Sequence, residues 1–196
     1  MPILTNSCPP MPRRARPEIQ YLTEQEIERL FSVIRDPRDV AIFRVAYHRG
    51  LRAREIGLLQ LADFDPRSDR LTVRRLKGSR GGQYHLTKNE VKAIRAWLRI
   101  RGGAPGPLFP SRVGKPISQQ MLDVLMKRYG EAAGIPPEKR HVHVLKHSAA
   151  THLLNRGEPI EDVQDHLGHV NIQNTMIYAR ITNKRRIERD RRLRDW

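Results

Sequence analysis

The sequence predicts an α+β fold that is mainly helical and carries a small antiparallel sheet. Thr23 with Glu26, and Thr87 with Glu90, have the Ser/Thr-x-x-Glu spacing of a capping box at a helix N-terminus. Apolar residues then recur every three to four positions, as they do on one face of a helix. Residues 70–76 instead alternate in character and precede a Gly-rich turn, which predicts a hairpin.

The predicted elements follow one another with short connections. The hairpin pairs 70–76 with a second short strand at 83–87, and a third strand is expected nearby. Two loops rich in Gly and Pro separate the later helices. We expect helices that begin after Thr23, at 37, after Arg52, after Thr87 and after Ser118, and further helices at 143–155, 159–167 and 172–179.

The chain is strongly basic. Its 196 residues include 37 Lys and Arg against 21 Asp and Glu, a formal net charge of +16. Such a charge favours polyanionic partners, with nucleic acid ahead of an anionic membrane surface. No apolar run approaches the roughly 20 residues that a membrane-spanning helix needs. Cys8, the only cysteine, excludes an internal disulfide and is typical of a reducing compartment. We therefore expect a cytoplasmic protein without membrane association.

Length and composition indicate one folded domain with two basic flanks. Residues 1–19 predict a flexible arm rich in Pro and Arg, and residues 20–182 contain the helix and strand signals of the domain. Residues 183–196 predict a basic C-terminal helix or tail. The arginines of the arm, which either contact DNA or stay solvated, are Arg13, Arg14 and Arg16.

Four histidines crowd residues 141–152, which raises the question of a metal site. His143 and His147 are spaced to share a helix face, but no Glu follows the first of them, and His152 lies off that face. The basic surroundings would also repel a cation. We therefore expect no metal and no other cofactor. A phosphate site fits better, because Lys and His side chains donate hydrogen bonds to phosphate oxygens.

Other phosphate donors occur at distinctive positions. Arg52 follows a Gly-Leu turn at the start of a helix, where it can present its guanidinium to an anion. Lys77 lies at the predicted hairpin tip, His169 follows a glycine, and Tyr178 lies further along the chain. Each signal is weak alone, since a surface Arg is usually solvated and a helical Tyr usually packs in a core. Their order along the chain is the specific feature.

The phrases that contain these residues resemble the tyrosine recombinase, or phage integrase, family. They are GLRAREIGLLQL, RLKGSRGG, HVLKHSAATHLLNRG and DHLGHVNIQNTMIYAR. The resemblance covers about 20–180, and the short chain and its RLKG hairpin are similar to the fimbrial phase-switch invertases. It implies the integrase catalytic-domain fold for 20–182. It also implies a site-specific recombinase that cleaves and rejoins DNA through a covalent 3′-phosphotyrosine, without metal or ATP.

The resemblance also implies roles for individual residues. Arg52 matches the first catalytic arginine, which grips the scissile phosphate, and Lys77 matches the hairpin lysine, the general acid for the leaving 5′-oxygen. His143 matches the first histidine of the His-x-x-Arg motif, which is assigned to proton transfer with the tyrosine. His169 matches the second histidine, a phosphate donor, and Tyr178 matches the nucleophile.

Further residues are expected to support this site or to bind DNA. Glu55 matches an acidic position of the family and is interpreted as orienting Arg52, while His147 is interpreted as structural support. Beyond the arm, the arginines expected to contact DNA are Arg54, Arg75 and Arg80.

The sequence departs from the family motif at Lys146, where the second catalytic arginine is expected. A lysine cannot reproduce the planar fork with which arginine binds two phosphate oxygens. Three interpretations stay open: Lys146 performs the role with slower chemistry, the enzyme is impaired, or another arginine supplies the fork.

The two flanks leave further alternatives. The helical domain that precedes the catalytic domain in most family members does not fit before Arg52, so the chain is either a minimal recombinase, which we favour, or part of a longer one. The segment 183–196 either docks on a neighbouring protomer, contacts DNA or remains a solvated helix.

The leading hypothesis is a recombinase that inverts, excises or integrates DNA. Its partners would be double-stranded DNA with specific recombination sites, further copies of the chain in a dimer or tetramer, and DNA-bending accessory proteins. The alternative is a catalytically weak or inactive DNA-binding regulator on the same scaffold.

Overall fold

A computed structural model of the protein describes residues 19–76, 78–179 and 190–194. Helices dominate these ranges, and a three-stranded sheet lies between the third and fourth of them. The helices are α1 (Glu24–Val33), α2 (Pro37–His48), α3 (Ala53–Leu58), α4 (Lys88–Arg101), α5 (Gln119–Ala132), α6 (His143–Asn155), α7 (Ile160–His166) and α8 (Gln173–Ala179). Residues 190–194 are also helical. The strands are β1 (Phe64–Asp65), β2 (Arg70–Val73) and β3 (Gly82–His85).

Reciprocal capping fixes where two of the long helices begin. At the start of α1, the Thr23 hydroxyl accepts from the Glu26 N–H at 3.2 Å, and the Glu26 carboxylate accepts from the Thr23 N–H at 2.7 Å. Thr87 and Glu90 make the same pair of bonds at the start of α4. Each pair satisfies two donors that a helix N-terminus otherwise leaves open. Both capping boxes expected from the sequence are confirmed.

The sheet is antiparallel, with the order β1-β2-β3. Leu71 lies opposite both Phe64 and Tyr84 in the register, so β2 is the central strand. Leu71 and Val73 are buried in the core, whereas Arg70 and Thr72 alternate with them and are partly exposed. The expected third strand is therefore present, and the predicted class, mainly helical with a small antiparallel sheet, is confirmed.

Two apolar clusters hold the helices together. The larger one surrounds α2, which packs against α4 and α6 and buries Ile42 and Phe43 completely. The smaller one lies between α6, α7 and α8. Its buried members are Ala150, Leu154, Val163, Leu167 and Tyr178. None of the helices in the described ranges is long and apolar enough to cross a membrane.

Main-chain contacts join the β2–β3 connection to the loop between α7 and α8. The Arg80 N–H donates to the Gly168 carbonyl at 2.9 Å, and Ser79 forms an isolated bridge with His169. These contacts bring two segments about 90 residues apart in sequence to one place, next to the N-terminus of α3.

Candidate active site

Arg52 is positioned by the N-terminus of α3. It occupies the N-cap of that helix, and its N–H donates to Glu55 Oε2 at 2.8 Å. Its guanidinium Nη1 donates to Glu55 Oε1 at 2.8 Å and to the Ser79 hydroxyl at 2.7 Å. The Arg52 side chain stays 29% exposed, so it is held on one side and open to a ligand on the other.

Glu55 is a fully buried acid that contacts two arginines. Its Oε2 also forms an ion pair with Arg75 Nη1 at 3.1 Å. Burial tends to raise the pKa of the Glu55 carboxyl, but the hydrogen bond from the Arg52 N–H and the charge of Arg75 outweigh it and lower that pKa. Glu55 is therefore ionised and fixes both guanidinium groups in place. This geometry fits its expected role in orienting Arg52.

Arg75 is an internal structural cation. Its side chain is 0% exposed, and besides Glu55 it donates to the carbonyls of Arg49 at 3.0 Å and His166 at 2.7 Å. Those carbonyls lie at the C-terminal ends of α2 and α7, where unpaired carbonyls carry partial negative charge. The burial contradicts the prediction that Arg75 contacts DNA. Arg54 and Arg80, which were given the same role, are exposed.

Lys146 lies inside the protein beside these arginines. It is 3% exposed on α6, and its Nζ donates to the Leu167 carbonyl at 3.1 Å. Burial, and then repulsion by Arg52 and Arg75, lower the pKa of Lys146 to about 7, with Glu55 acting in the opposite direction. The Arg75 fork is already occupied by Glu55 and main-chain carbonyls. Arg75 is therefore unavailable to replace the arginine fork that Lys146 lacks.

His169 faces the same group of cations. Its ring is buried, and its Nδ1 is 3.0 Å from the Thr175 hydroxyl at the start of α8. Burial and the charges of Lys146 and Arg52 lower the pKa of His169 to about 3, so the ring is neutral at pH 7. When the Thr175 hydroxyl donates to Nδ1, the Nε2 atom carries the proton and is the donor.

Tyr178 is packed in the smaller apolar cluster and held by a histidine. It is 2% exposed, and its hydroxyl is 2.9 Å from His147 Nδ1. Burial raises the pKa of Tyr178 to about 12, although the charge of Arg52 lowers it in part. Burial and the neighbouring His141, His143 and Lys146 lower the pKa of His147 to about 4. The tyrosine is therefore a neutral phenol in this state.

The structure distinguishes the two histidines at the start of α6. His143 is the first residue of the helix and is half-buried, whereas His147, one turn later, contacts the Tyr178 hydroxyl. The resemblance to the family implied that His143 is the proton-transfer partner and that His147 is structural support. In the structure the hydrogen-bond partner of the tyrosine hydroxyl is His147.

Several of the predicted site and DNA-binding residues lie in parts of the chain that the structure does not describe. Lys77 and the arginines of the N-terminal arm lie outside the described residues, as does most of the segment 183–196. Ser79 contacts Arg52 and Thr175 contacts His169. No local sequence signal points to either residue, because the fold alone brings the partners together. Within the described ranges, no group of His, Cys, Asp or Glu side chains is arranged to hold a metal ion.

Gly168 allows the close contact between the hairpin and the α7–α8 loop. Its φ is +65°, and a Cβ would lie 2.4 Å from Arg75 Cδ and 2.5 Å from the Arg80 carbonyl oxygen. We expect Gly168→Ala to lower the free energy of unfolding by about 3 kcal/mol or more, because strained backbone and overlap add. Gly134 has the same φ with nothing within 4 Å, so Gly134→Ala should cost only about 1 kcal/mol. Equal losses in urea denaturation would contradict the tight contact.

The contact between His147 and Tyr178 can be measured by a double-mutant cycle. We expect His147→Phe and Tyr178→Phe to be coupled by about 1 kcal/mol in unfolding free energy, as is typical of one buried hydrogen bond. The matched cycle with His143→Phe should give coupling near zero. Stronger coupling of Tyr178 to His143 than to His147 would contradict the observed geometry.

Known proteins resemble this chain over most of its length. A sequence model of the phage integrase family matches residues 20–185. The type 1 fimbriae regulatory protein FimB of Escherichia coli K12 is 33% identical over 167 residues, which cover 81% of this chain and 83% of FimB. Tyrosine recombinase XerD of Proteus mirabilis is 34% identical over 190 residues, with 91% of this chain and 59% of XerD covered.

Solved structures show the same fold. The XerA recombinase crystal structure superposes with a TM-score of 0.74 at 29% identity, over 86% of this chain and 61% of XerA. The catalytic domain of bacteriophage HP1 integrase gives a TM-score of 0.63 at 23% identity, over 83% of this chain and 88% of that domain. The chain thus spans about three fifths of XerD and XerA. The ordered phrases, the shared fold and the match across 20–185 together place the chain in the phage integrase, or tyrosine recombinase, family.

Proposed function

We propose that the protein is a site-specific recombinase that cleaves and rejoins double-stranded DNA through a 3′-phosphotyrosine on Tyr178. The observation that supports this most is the grouping of Arg52, Lys146 and His169 beside a helix that carries the tyrosine. Relatives named as tyrosine recombinases, and solved complexes of such recombinases with DNA, support the same reaction and the same DNA partner.

The first step is binding of one phosphodiester. Arg52 presents the partly exposed side of its guanidinium, and its other side stays fixed by Glu55 and Ser79. His169 donates from Nε2, and Lys146 contributes positive charge from the interior. Donors that are held in place before the reaction stabilise the charge that develops on the non-bridging oxygens, without reorganisation at the moment of attack.

In the covalent step the Tyr178 oxygen attacks phosphorus. The new O–P bond forms as the bond from phosphorus to the 5′-oxygen breaks, the phenol loses its proton, and the 5′-oxygen gains one. His147, which touches the phenol, and His143, through its match to the family motif, are our candidates to accept the phenol proton. Lys77 is the proposed donor to the 5′-oxygen. Rejoining reverses these steps, so the phosphotyrosine conserves the bond energy and no ATP is required.

The buried tyrosine implies a rearrangement when DNA binds. At 2% exposure the phenol oxygen cannot reach a phosphate on a duplex, and a phenol of pKa about 12 is a weak nucleophile. In this proposal Tyr178 gives up its bond with His147 and turns out of its apolar cluster, towards a phosphate bound by the neighbouring Arg52. A phosphate bound between Arg52 and His169 would define the position that the Tyr178 oxygen has to reach.

Arginines outside the site are proposed to contact the DNA backbone. Arg54 and Arg80 are exposed and, together with Arg13, Arg14 and Arg16 of the arm, would contact the DNA backbone. We propose that two or four copies assemble on a pair of recombination sites, with DNA-bending accessory proteins where the sites are far apart. This reaction would take place on DNA in the cytoplasm.

Covalent capture tests the proposal. A duplex that the protein binds is first selected from a random-sequence library, and the same duplex is then prepared with a nick beside each candidate cleavage position. Loss of the short fragment beyond the nick prevents rejoining, so a recombinase accumulates as a protein–DNA adduct that survives denaturing electrophoresis. Binding without any adduct would instead favour a regulator that no longer cuts DNA.

A further inference from the structure

Lys146 differs chemically from the arginine that the family motif has at this position, because an ammonium group can lose its proton. Arginine keeps its charge at every pH a protein meets, whereas a buried lysine changes protonation readily. Lys146 is 3% exposed, and its Nζ donates a hydrogen bond to the Leu167 carbonyl at the end of α7. Water therefore contributes little to stabilising a charge at this position.

Among the described residues, the positive charges around Lys146 already exceed what the one neighbouring carboxylate can balance. Arg52 and Arg75 both lie close enough to Lys146 to repel its ammonium, and Glu55 is the acid that attracts it. Both oxygens of Glu55 are committed to the two guanidinium groups, at 2.8 to 3.1 Å. The two fixed guanidinium groups and the one carboxylate already leave a net positive charge. Lys146 is therefore the cation that can lose its charge by releasing a proton.

The histidines that face Lys146 do not alter this balance at neutral pH. They come from three segments: His147 from α6, His166 from α7, and His169 from the loop before α8. Burial, followed by nearby positive charges, lowers the pKa of each of them to about 4 or below. Each is therefore a neutral ring, and the net charge of the group depends on Lys146.

We propose that Lys146 exchanges a proton with solvent as part of the site's working cycle, releasing it in the DNA-free protein and regaining it when a phosphodiester binds beside Arg52 and His169. Phosphate binding would then be accompanied by uptake of up to one proton, depending on the pH and on the size of the shift. The inference rests on the proposed function for the position of the phosphate, but the protonation of the free site can be measured without any cleavage.

The expected pH dependence follows from the direction of the shift. The pKa of Lys146 in the free protein is lowered to about 7, so the neutral amine becomes the main form as the pH rises above that value. The protonated form is the one that attracts phosphate, so affinity for the scissile phosphate falls as the pH rises above about 7. A bound anion favours the charged form and raises the pKa of Lys146 again.

The experiment is a pH titration of ¹³C-labelled lysine side chains by NMR, in the Tyr178→Phe background so that DNA is not cut. The Lys146 signal is identified by its disappearance in Lys146→Arg. We expect a midpoint near 7 in the free protein, compared with about 10.4 for lysine in model peptides. The duplex selected for binding should raise the midpoint by about one pH unit or more.

Two results would overturn the inference. A free-protein midpoint above about 9.5 would mean that Lys146 keeps its proton throughout the neutral range. A midpoint near 7 that the bound duplex leaves unchanged would mean that phosphate binding and protonation are independent. Failure of the wild-type protein to form an adduct would refute the proposed function instead, and the titration of the free protein would still decide the protonation of Lys146.

Discussion

Tyr178→Phe is expected to abolish the covalent protein–DNA adduct while leaving binding of the duplex within about threefold of the wild type. The substitution removes the oxygen that would bond to phosphorus but keeps the ring that fills the cluster between α6, α7 and α8. No other side chain can replace a nucleophile that is placed by its own helix, so the loss should reach the detection limit of the assay.

The chain offers a closely matched control for this substitution. Tyr47 is also buried, and its hydroxyl lies 2.8 Å from His152 Nδ1, just as that of Tyr178 lies 2.9 Å from His147 Nδ1. Tyr47→Phe should lose a similar ~1 kcal/mol of stability and keep its full adduct yield. An adduct that persists in Tyr178→Phe, or disappears equally in Tyr47→Phe, would contradict the assignment of the nucleophile.

Glu55→Ala should give the largest loss of stability at the site, about 3–5 kcal/mol in unfolding free energy, together with loss of cleavage. The substitution leaves the Arg75 guanidinium, which is 0% exposed, without its counter-ion, and an unpaired buried charge carries a penalty of that size. It also removes two of the three bonds that hold Arg52, and leaves only the one to the Ser79 hydroxyl. Cleavage and stability should therefore fall together.

Asp63→Ala is the matched control for Glu55→Ala. Asp63 is a buried carboxylate that caps a helical turn through the Gln60 N–H, as Glu55 does through that of Arg52. Its arginine partner, Arg74, is 60% exposed and can be solvated by water once the carboxylate is gone. We expect a loss of about 1–2 kcal/mol and unchanged cleavage. Similar losses in urea denaturation for the two variants would contradict the buried network around Glu55.

Local sequence patterns were sufficient to predict the main elements of the fold. The capping boxes at Thr23 and Thr87 placed the starts of α1 and α4, and alternation in 70–76 placed the central strand. These signals work because the residues concerned interact within three or four positions, or through a period of two, and so do not depend on the tertiary fold.

The prediction that Arg75 contacts DNA was wrong for a physical reason, and part of that reason is visible in the sequence. Leu71 and Val73 face the core, and the same alternation continues to Arg75, whereas Arg74 faces outward. The prediction that Arg75 contacts DNA followed its charge and not this alternation. Burial of Arg75 depends on Glu55 and on two helix C-termini that only the folded chain brings together, which no local pattern reveals.

The contact of Tyr178 with His147 was beyond prediction for a similar reason. His143 and His147 lie on one face of α6, four residues apart, and spacing makes them equally eligible as partners. The packing of α8 against α6 determines which of the two the hydroxyl reaches. The fold therefore adds a contact that spacing alone does not reveal, because the tyrosine hydroxyl is bonded to His147.

Peptide mapping of the captured adduct by mass spectrometry would detect the proposed 3′-phosphate link between DNA and Tyr178 itself. After nuclease and protease digestion, we expect a nucleotide remnant on the peptide that contains Tyr178, linked through phosphate to the phenol oxygen and absent from Tyr178→Phe. A remnant on any other residue, or one linked through a 5′-phosphate, would contradict it.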